Sequence, residues 1–271
     1  MMKPALQLCL CLVGLVAGAG AGRAQGFSLT TPAFHGITVR TPTVWIDVMQ
    51  FLNAGFADGA LTTNYADFSG HGIGFRDRAS GTEAGNTNFQ FFTRLGGVLA
   101  GNGGITGCMF ADLGGMTNVQ RFVFSGWTNR GTVAFRIYHR AGQDYTSIVQ
   151  TGWNGPTTKF ALFQVLNGQW YFDWGSDAPY RIQKPMPVGA TNAWINMFYV
   201  HEGTNSTIYV DGTNWFSQLV SAPLAVPPSG MFQVMGNNYS TQYLAKRIML
   251  FDYALPPADV DRWNREFKRL P

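Results

Sequence analysis

Ser206-Thr-Ile-Tyr-Val-Asp-Gly-Thr-Asn-Trp-Phe216 sets two strand-like runs on either side of Asp211-Gly212. Asp-Gly is a preferred pair for a two-residue type I′ turn, because both central positions need positive φ and the turn's twist matches that of the strands it joins. The stretch predicts a β-hairpin. Farther on, Lys246-Arg-Ile-Met-Leu-Phe-Asp-Tyr-Ala-Leu-Pro-Pro-Ala-Asp-Val260 reads as a strand running into a short helix. Pro256 and Pro257 pre-set helical φ at its start. Val260, Trp263 and Phe267 share one helix face, which predicts a brace packed on the sheet. Arg262, Arg265, Lys268 and Arg269 suit the negative end of the helix dipole, a simpler account of that basic turn than an acidic partner.

Upstream the same grammar repeats. Phe160 to Leu166, Asn167-Gly168 and Gln169 to Trp174 form the best hairpin in the chain. Trp194 to Val200 is a nearly continuous apolar strand, consistent with burial between two sheets. Val133 to Tyr138, Gln120 to Trp127 and Thr43 to Phe51 are further strand candidates. The Gly-, Asn- and Thr-rich stretch from Gly55 to Gly107 reads as long loops and edge strands.

Several of these segments resemble, in order, those of laminin-G/pentraxin-like domains in the concanavalin A-like lectin/glucanase superfamily. Ala66-Asp-Phe-Ser-Gly-His-Gly72 is similar to the family's opening turn, and Phe122-Val-Phe-Ser-Gly-Trp-Thr128 to its "FTLSGWIK" strand. Thr191 to Gly203 looks like the strand before the YVDG hairpin, and Arg247 to Val260 looks like "RIYDRALSxxEI". The resemblance spans about Trp45 to Arg269. It implies an all-β fold, a two-sheet antiparallel jelly-roll sandwich with a short C-terminal helix. Where relatives carry acidic residues before the last strand, this chain has Ala245-Lys246-Arg247, and His71 stands where Asn is common. Both departures weaken the transfer of a calcium site, which needs several converging oxygen ligands.

Met1 to Ala24 reads as a secretory signal: Lys3 supplies the basic start, Leu6 to Ala17 the apolar core, and Gly22-Arg-Ala24 the cleavage site. An irregular lead-in, Gln25 to Pro42, precedes one domain over 43–271. That domain has the size of a single large all-β unit, about 200–250 residues. The product is expected to be secreted or held at a cell surface, with no membrane span after processing. Of 3 Cys in the whole chain, Cys9 and Cys11 fall in the leader, so Cys108 is expected as a buried thiol. Removing Lys3 and Arg23 leaves little net charge and no basic cluster outside the last helix, so no nucleic-acid partner is expected.

Familiar catalytic spacings are absent. The three Glu (Glu83, Glu202 and Glu266) do not form the Glu-x-Asp-x-x-Glu of jelly-roll glucanases. Tyr243-Leu-Ala-Lys246 misses the lyase Tyr-x-Lys spacing by one residue, which reverses the face in a strand. The 4 His (His35, His71, His139 and His201) are scattered, and His139 reads as a surface residue. The expectation is a protein that is not an enzyme and has no cofactor. A structural calcium stays open, because Asp67, Asp77, Asp112 and Asp173 form no spaced cluster.

Aromatic display remains. Period two puts Trp170, Phe172 and Trp174 on one face, read as core, and turns Tyr171 and Asp173 outward. Trp153, among Gly, Asn and Pro, offers a flat face and one donor on which a sugar ring could stack, with Asn154 beside it. Trp215 with Asn214, and Asn237 with Tyr239, are the further ligand-binding candidates. The favoured reading is a non-catalytic module binding a polysaccharide or glycoconjugate. The alternative is a structural subunit of an extracellular assembly that contacts itself or other proteins. Charged residues make up only 13% of the chain, against about 25% typical, and that favours association. An unrecognised jelly-roll polysaccharide-active enzyme comes third.

Overall fold

Both turn pairs fold as their chemistry dictates. Asn167 and Gly168 have φ of 50° and 72°, and Asp211 and Gly212 have 53° and 87°. Leu166 stands opposite Gln169 and Val210 opposite Thr213, so each turn has two residues.

The computed structural model describes residues 42–58, 60–62, 64–66, 74–77, 89–93, 98–101, 109–112, 130–139, 149–151, 159–175, 181–220, 232–234 and 244–270. In chain order the strands are β1 (Val44–Asp47), β2 (Ala60–Thr62), β3 (Asn64–Ala66), β4 (Gly74–Asp77), β5 (Phe89–Phe92) and β6 (Val98–Gly101). Then come β7 (Met109–Asp112), β8 (Arg130–His139), β9 (Val149–Thr151), β10 (Lys159–Leu166), β11 (Gln169–Gly175) and β12 (Ile182–Pro185). The last are β13 (Ala193–Glu202), β14 (Asn205–Val210), β15 (Thr213–Leu219), β16 (Phe232–Val234) and β17 (Leu244–Phe251), with helices α1 (Val48–Asn53) and α2 (Pro257–Lys268). Two sheets result. The first runs β15-β14-β13-β8-β17-β6-β5-β2 with β1 also beside β17, and the second β12-β11-β10-β9-β16-β7-β4-β3. Neighbours pair antiparallel.

The core lies between the sheets. Val133, Phe135 and Ile137 of β8 and Ile195, Met197 and Tyr199 of β13 meet Trp170, Phe172 and Trp174 of β11, all buried. Tyr199 stacks on Phe172 and Trp174 at centroid distances of 5.8 and 5.6 Å. The Trp/Phe face of β11 is therefore core, as its alternation implies.

The first sheet is buried on its other face too. Trp45, Ala134, Phe198, Val200, Met249 and Phe251 pack against Leu255 and against Val260, Trp263 and Phe267 of α2. Each large side chain so buried contributes about 1.5–3 kcal/mol. Two covered faces explain why β13 and β17 read as unbroken apolar runs rather than alternating ones.

Four expectations change. The strand expected over Thr43 to Phe51 ends at Asp47, whose Oδ1 accepts the Met49 N–H at 3.0 Å and caps α1. The same carboxylate accepts Trp45 Nε1 at 3.2 Å and Arg247 Nε at 2.6 Å, so a buried ion pair fixes where strand becomes helix. His139 ends β8 but is buried, and burial lowers its pKa against a hydrogen bond that its ring donates to the Ala190 backbone. Tyr171 and Asp173 do not face solvent: both are buried. Arg181 donates to both Asp173 oxygens at 2.6 and 2.9 Å and lies 5.0 Å from the Tyr171 ring centre.

The expected leader, nearly all of the lead-in, the strand at Gln120 to Trp127, Asp67 and Cys108 lie outside the described residues.

Candidate functional site: the edge hairpin of the first sheet

The Asp211-Gly212 turn is fastened to the molecule from behind. Asn196 N–H donates to Asp211 Oδ1 at 3.1 Å, and Asp211 N–H donates back to Asn196 O at 2.8 Å. Asn264 of α2 donates to Asp211 O at 2.9 Å and accepts Asn196 Nδ2 at 2.8 Å. A Cβ on Gly212 would stand 2.5 Å from Asn264 Nδ2, so glycine is required by space as well as by φ. The YVDG-like turn is thus where the helix is latched to the hairpin.

From that anchor β14 and β15 run out to the edge of the sheet as the described strands form it. The register shifts at Ile208/Tyr209, leaving Trp215 as an extra residue between Asn214 and Phe216. Such a bulge re-aims side chains. Trp215 and Phe216 both pack against the inter-sheet core, with Trp215 edge-on to Trp170 at 5.4 Å. Trp215 is half-buried, not displayed at a loop tip.

The opposite face of the hairpin is polar and open. Thr207 Oγ1 and Ser217 Oγ are 3.1 Å apart across the strands, Asn214 Nδ2 donates to Ser217 Oγ at 3.3 Å, and Asn205 Nδ2 donates to Thr207 Oγ1 at 3.3 Å, all exposed. Half-buried Tyr209 stands opposite Asn214 in register. Two amides and two hydroxyls therefore form a row of donors and acceptors on a rigid strand pair. Asn214 is the one member singled out from sequence. Asn205, Thr207 and Ser217 could have been found by counting the register outward from Asp211-Gly212.

Of the other candidates, Trp153, Asn154, Asn237 and Tyr239 lie outside the described residues, so nothing brings them to this hairpin. At its far end sits a buried network: Ser206 Oγ is 2.7 Å from Tyr199 Oη and 2.8 Å from His201 Nδ1. Trp174 stacks on His201 at 4.4 Å. Burial pushes the His201 pKa down to about 4, against a hydrogen bond that its ring donates to the Gly203 backbone, and raises that of Tyr199. Ser206 is fully buried, so this Ser–His pair holds the hairpin together. No group of three or more His, Cys, Asp or Glu able to hold a metal occurs among the described residues.

Comparison with known proteins places this geometry. Sequence comparison with curated proteins gives no match. Among solved structures, a Trypanosoma rangeli sialidase superposes with a TM-score of 0.56 at 14% identity, over 86% of this chain and 34% of its own. Domain 4 of a GH43 extracellular arabinanase from Geobacillus stearothermophilus, solved with arabinotriose, gives 0.53 at 15% identity over 76% of this chain and 98% of its own. The binding domain of botulinum neurotoxin DC, solved with rat synaptotagmin II, gives 0.58 at 13% identity over 84% and 52%. The chain thus spans about a third of the sialidase, and likeness at such identity concerns the fold.

The sialidases correct one expectation. An enzyme was held improbable because jelly-roll hydrolase and lyase spacings are missing, yet enzymes are among the structural relatives. Absence of those few motifs therefore does not exclude catalysis. The profile of the concanavalin A-like lectin/glucanases superfamily, in its laminin-G form, matches residues 114–261, more than half of the chain. With its two antiparallel sheets and latched YVDG-like turn, the chain belongs to that family.

Proposed function

We propose that the protein is a secreted or cell-surface carbohydrate-binding protein whose ligand is a polysaccharide or glycoconjugate. One observation carries the reading: the exposed row Asn205, Thr207, Ser217 and Asn214, prearranged by its own hydrogen bonds. Amides and hydroxyls match sugar hydroxyls, each of which both donates and accepts. Fixing them on a strand pair lowers the ordering cost of binding. Trp153 with Asn154 and Asn237 with Tyr239 join the proposed ligand-binding set, which Trp215 supports from the core side of the hairpin. The fold neighbour solved with arabinotriose supports a saccharide ligand.

A glycan and polysaccharide array of the secreted protein, with and without calcium, tests the reading. A defined ligand lost in Asn214→Ala or Ser217→Ala is the expected result. A blank in both conditions overturns it.

A second reading is favoured by the edge strand. β15, Thr-Asn-Trp-Phe-Ser-Gln-Leu, carries no charge or proline, and Leu219 is 75% exposed. Such an edge is open to strand addition, as a subunit of an extracellular assembly requires. The fold neighbour solved with synaptotagmin supports a protein partner. Light scattering across a concentration series decides: a fixed monomer rules out self-assembly through this edge.

A further inference from the structure

The polar row on β14 and β15 has an apolar corner. Leu219 stands opposite Asn205 and Ser217 opposite Thr207, with no register shift between the two pairs. Strict alternation then sets Asn205, Thr207, Ser217 and Leu219 on one face of the hairpin. Partners across the strands are about 5 Å apart at Cβ, and the two pairs lie about 7 Å apart along them. Leu219 is 75% exposed, one of two large apolar side chains so open among the described residues. Its place is fixed by the next residue: Val220 is buried and donates its N–H to Thr204 O at 2.5 Å.

The patch is bounded on the sheet. In the Thr207 row the next residues, Val200 of β13 and Thr132 of β8, are buried. Thr132 Oγ1 donates to Tyr253 O and accepts the Leu255 N–H, both at 2.9 Å, so the chain after β17 rises as a step beside the hairpin. In the Asn205 row Glu202 and then Arg130 follow, both exposed. The patch therefore ends on two opposite charges, not on a field of one sign, and suits a neutral ligand about one sugar ring wide.

Three of its corners are polar. Asn205 has one amide proton on Thr207, and Thr207 and Ser217 share one hydroxyl bond. An amide and two hydroxyls keep further donors and acceptors beyond these. The fourth corner, Leu219, offers hydrocarbon alone. A sugar with several ring hydroxyls and one methyl carries the same division. A hydroxymethyl in the fourth corner finds no partner on Leu219, whereas a methyl there removes apolar surface from water on both sides.

We propose that Asn205, Thr207, Ser217 and Leu219 form a subsite for a neutral 6-deoxyhexose, its ring hydroxyls on the amide and the hydroxyls and its methyl group on Leu219. The proposal rests on the carbohydrate-binding reading and names the sugar class that the row prefers. One methyl so covered is worth about three- to fourfold in affinity.

The test adds immobilised fucose and rhamnose to the glycan array, each beside its 6-hydroxy parent of the same hand. A signal for the deoxy sugars about threefold or more above their parents, levelled in Leu219→Ser and regained in Leu219→Met, is the expected result. Equal signals for deoxy sugar and parent, a preference that Leu219→Ser leaves in place, or binding confined to glycans without a deoxyhexose overturns the subsite and leaves carbohydrate binding standing. A blank over the whole array overturns both. The preference is read on the unaltered protein, so its absence refutes the subsite whatever the variants do.

Discussion

Replacing Gly212 by alanine, alone and together with Asn264→Ala, measures how the family's turn is fastened. Gly212 has φ of 87°, and an added Cβ would meet Asn264 Nδ2 at 2.5 Å and Cγ at 3.1 Å. The backbone part of the cost is that of a left-handed L-residue, about 1–2 kcal/mol. The steric part is paid by Asn264, whose amide must swing away from Asp211 O and Asn196 Nδ2. Each buried polar group left unmet costs about 1–3 kcal/mol. Asn196 Nδ2 keeps a longer contact to the Asn264 carbonyl at 3.4 Å, so Asn264→Ala alone falls toward the low end. About 2–4 kcal/mol is expected for that single change and about 3–5 kcal/mol for Gly212→Ala. In the Asn264→Ala background the clash is gone, and Gly212→Ala costs only its backbone part. The coupling is then about 2 kcal/mol, read from urea midpoints of the four proteins. Costs that add to within about 0.5 kcal/mol refute the latch.

Asp47→Ala strands Arg247 in a buried setting and removes the cap of α1, so it is expected to cost about 3–5 kcal/mol, checked by thermal unfolding. Because burial lowers the His201 pKa from 6.5 to about 4, the unfolded chain binds the proton first. Stability is fully present above about pH 6.5 and is lost as pH falls toward 4. Urea midpoints across that window should show a shallower acid slope in His201→Gln; an unchanged slope removes His201 as a cause. Trp215→Ala opens the contact with Trp170 and should cost about 1–3 kcal/mol for a half-buried ring, so lost glycan retention in this variant is read beside its stability. Asn214→Ala and Ser217→Ala are exposed changes expected to stay within about 0.5 kcal/mol of wild type while weakening glycan binding on the array.

What is legible in the sequence is what local chemistry decides. Asn167-Gly168 and Asp211-Gly212 admit few backbone solutions, and the tandem Pro256-Pro257 followed by Val260, Trp263 and Phe267 fits one helix face. What stays hidden depends on partners distant in sequence. Asp47 ends a strand because its carboxylate both caps α1 and meets Arg247, a residue with a separation of 200 along the chain. Asp173 looks like an outward carboxylate until Arg181 is seen to cover it. The bulges at Trp215 and at Lys246, where β17 slips against β8 between Ala245 and Arg247, are a second blind spot. An extra residue inverts every later side chain, and no local residue type announces it. The candidate site was therefore half legible: Asn214 from its place beside the turn, but not the face Trp215 takes, nor the row formed by Asn205, Thr207 and Ser217.

The pairing of β1 with β17 sets a timetable for folding. Val44 stands opposite Leu250 and Asp47 opposite Arg247, and β8 reaches β17 across about half that separation. The strand that joins the two halves of the first sheet is the last to be made. At about 5–20 residues per second, β1 waits some tens of seconds for its neighbour to leave the ribosome. Contacts so distant in sequence also slow closure once the chain is complete. Until then the apolar faces of β8 and β13 have no finished sheet to join, and a nascent chain in that state remains open to holding chaperones and to passage as an extended thread.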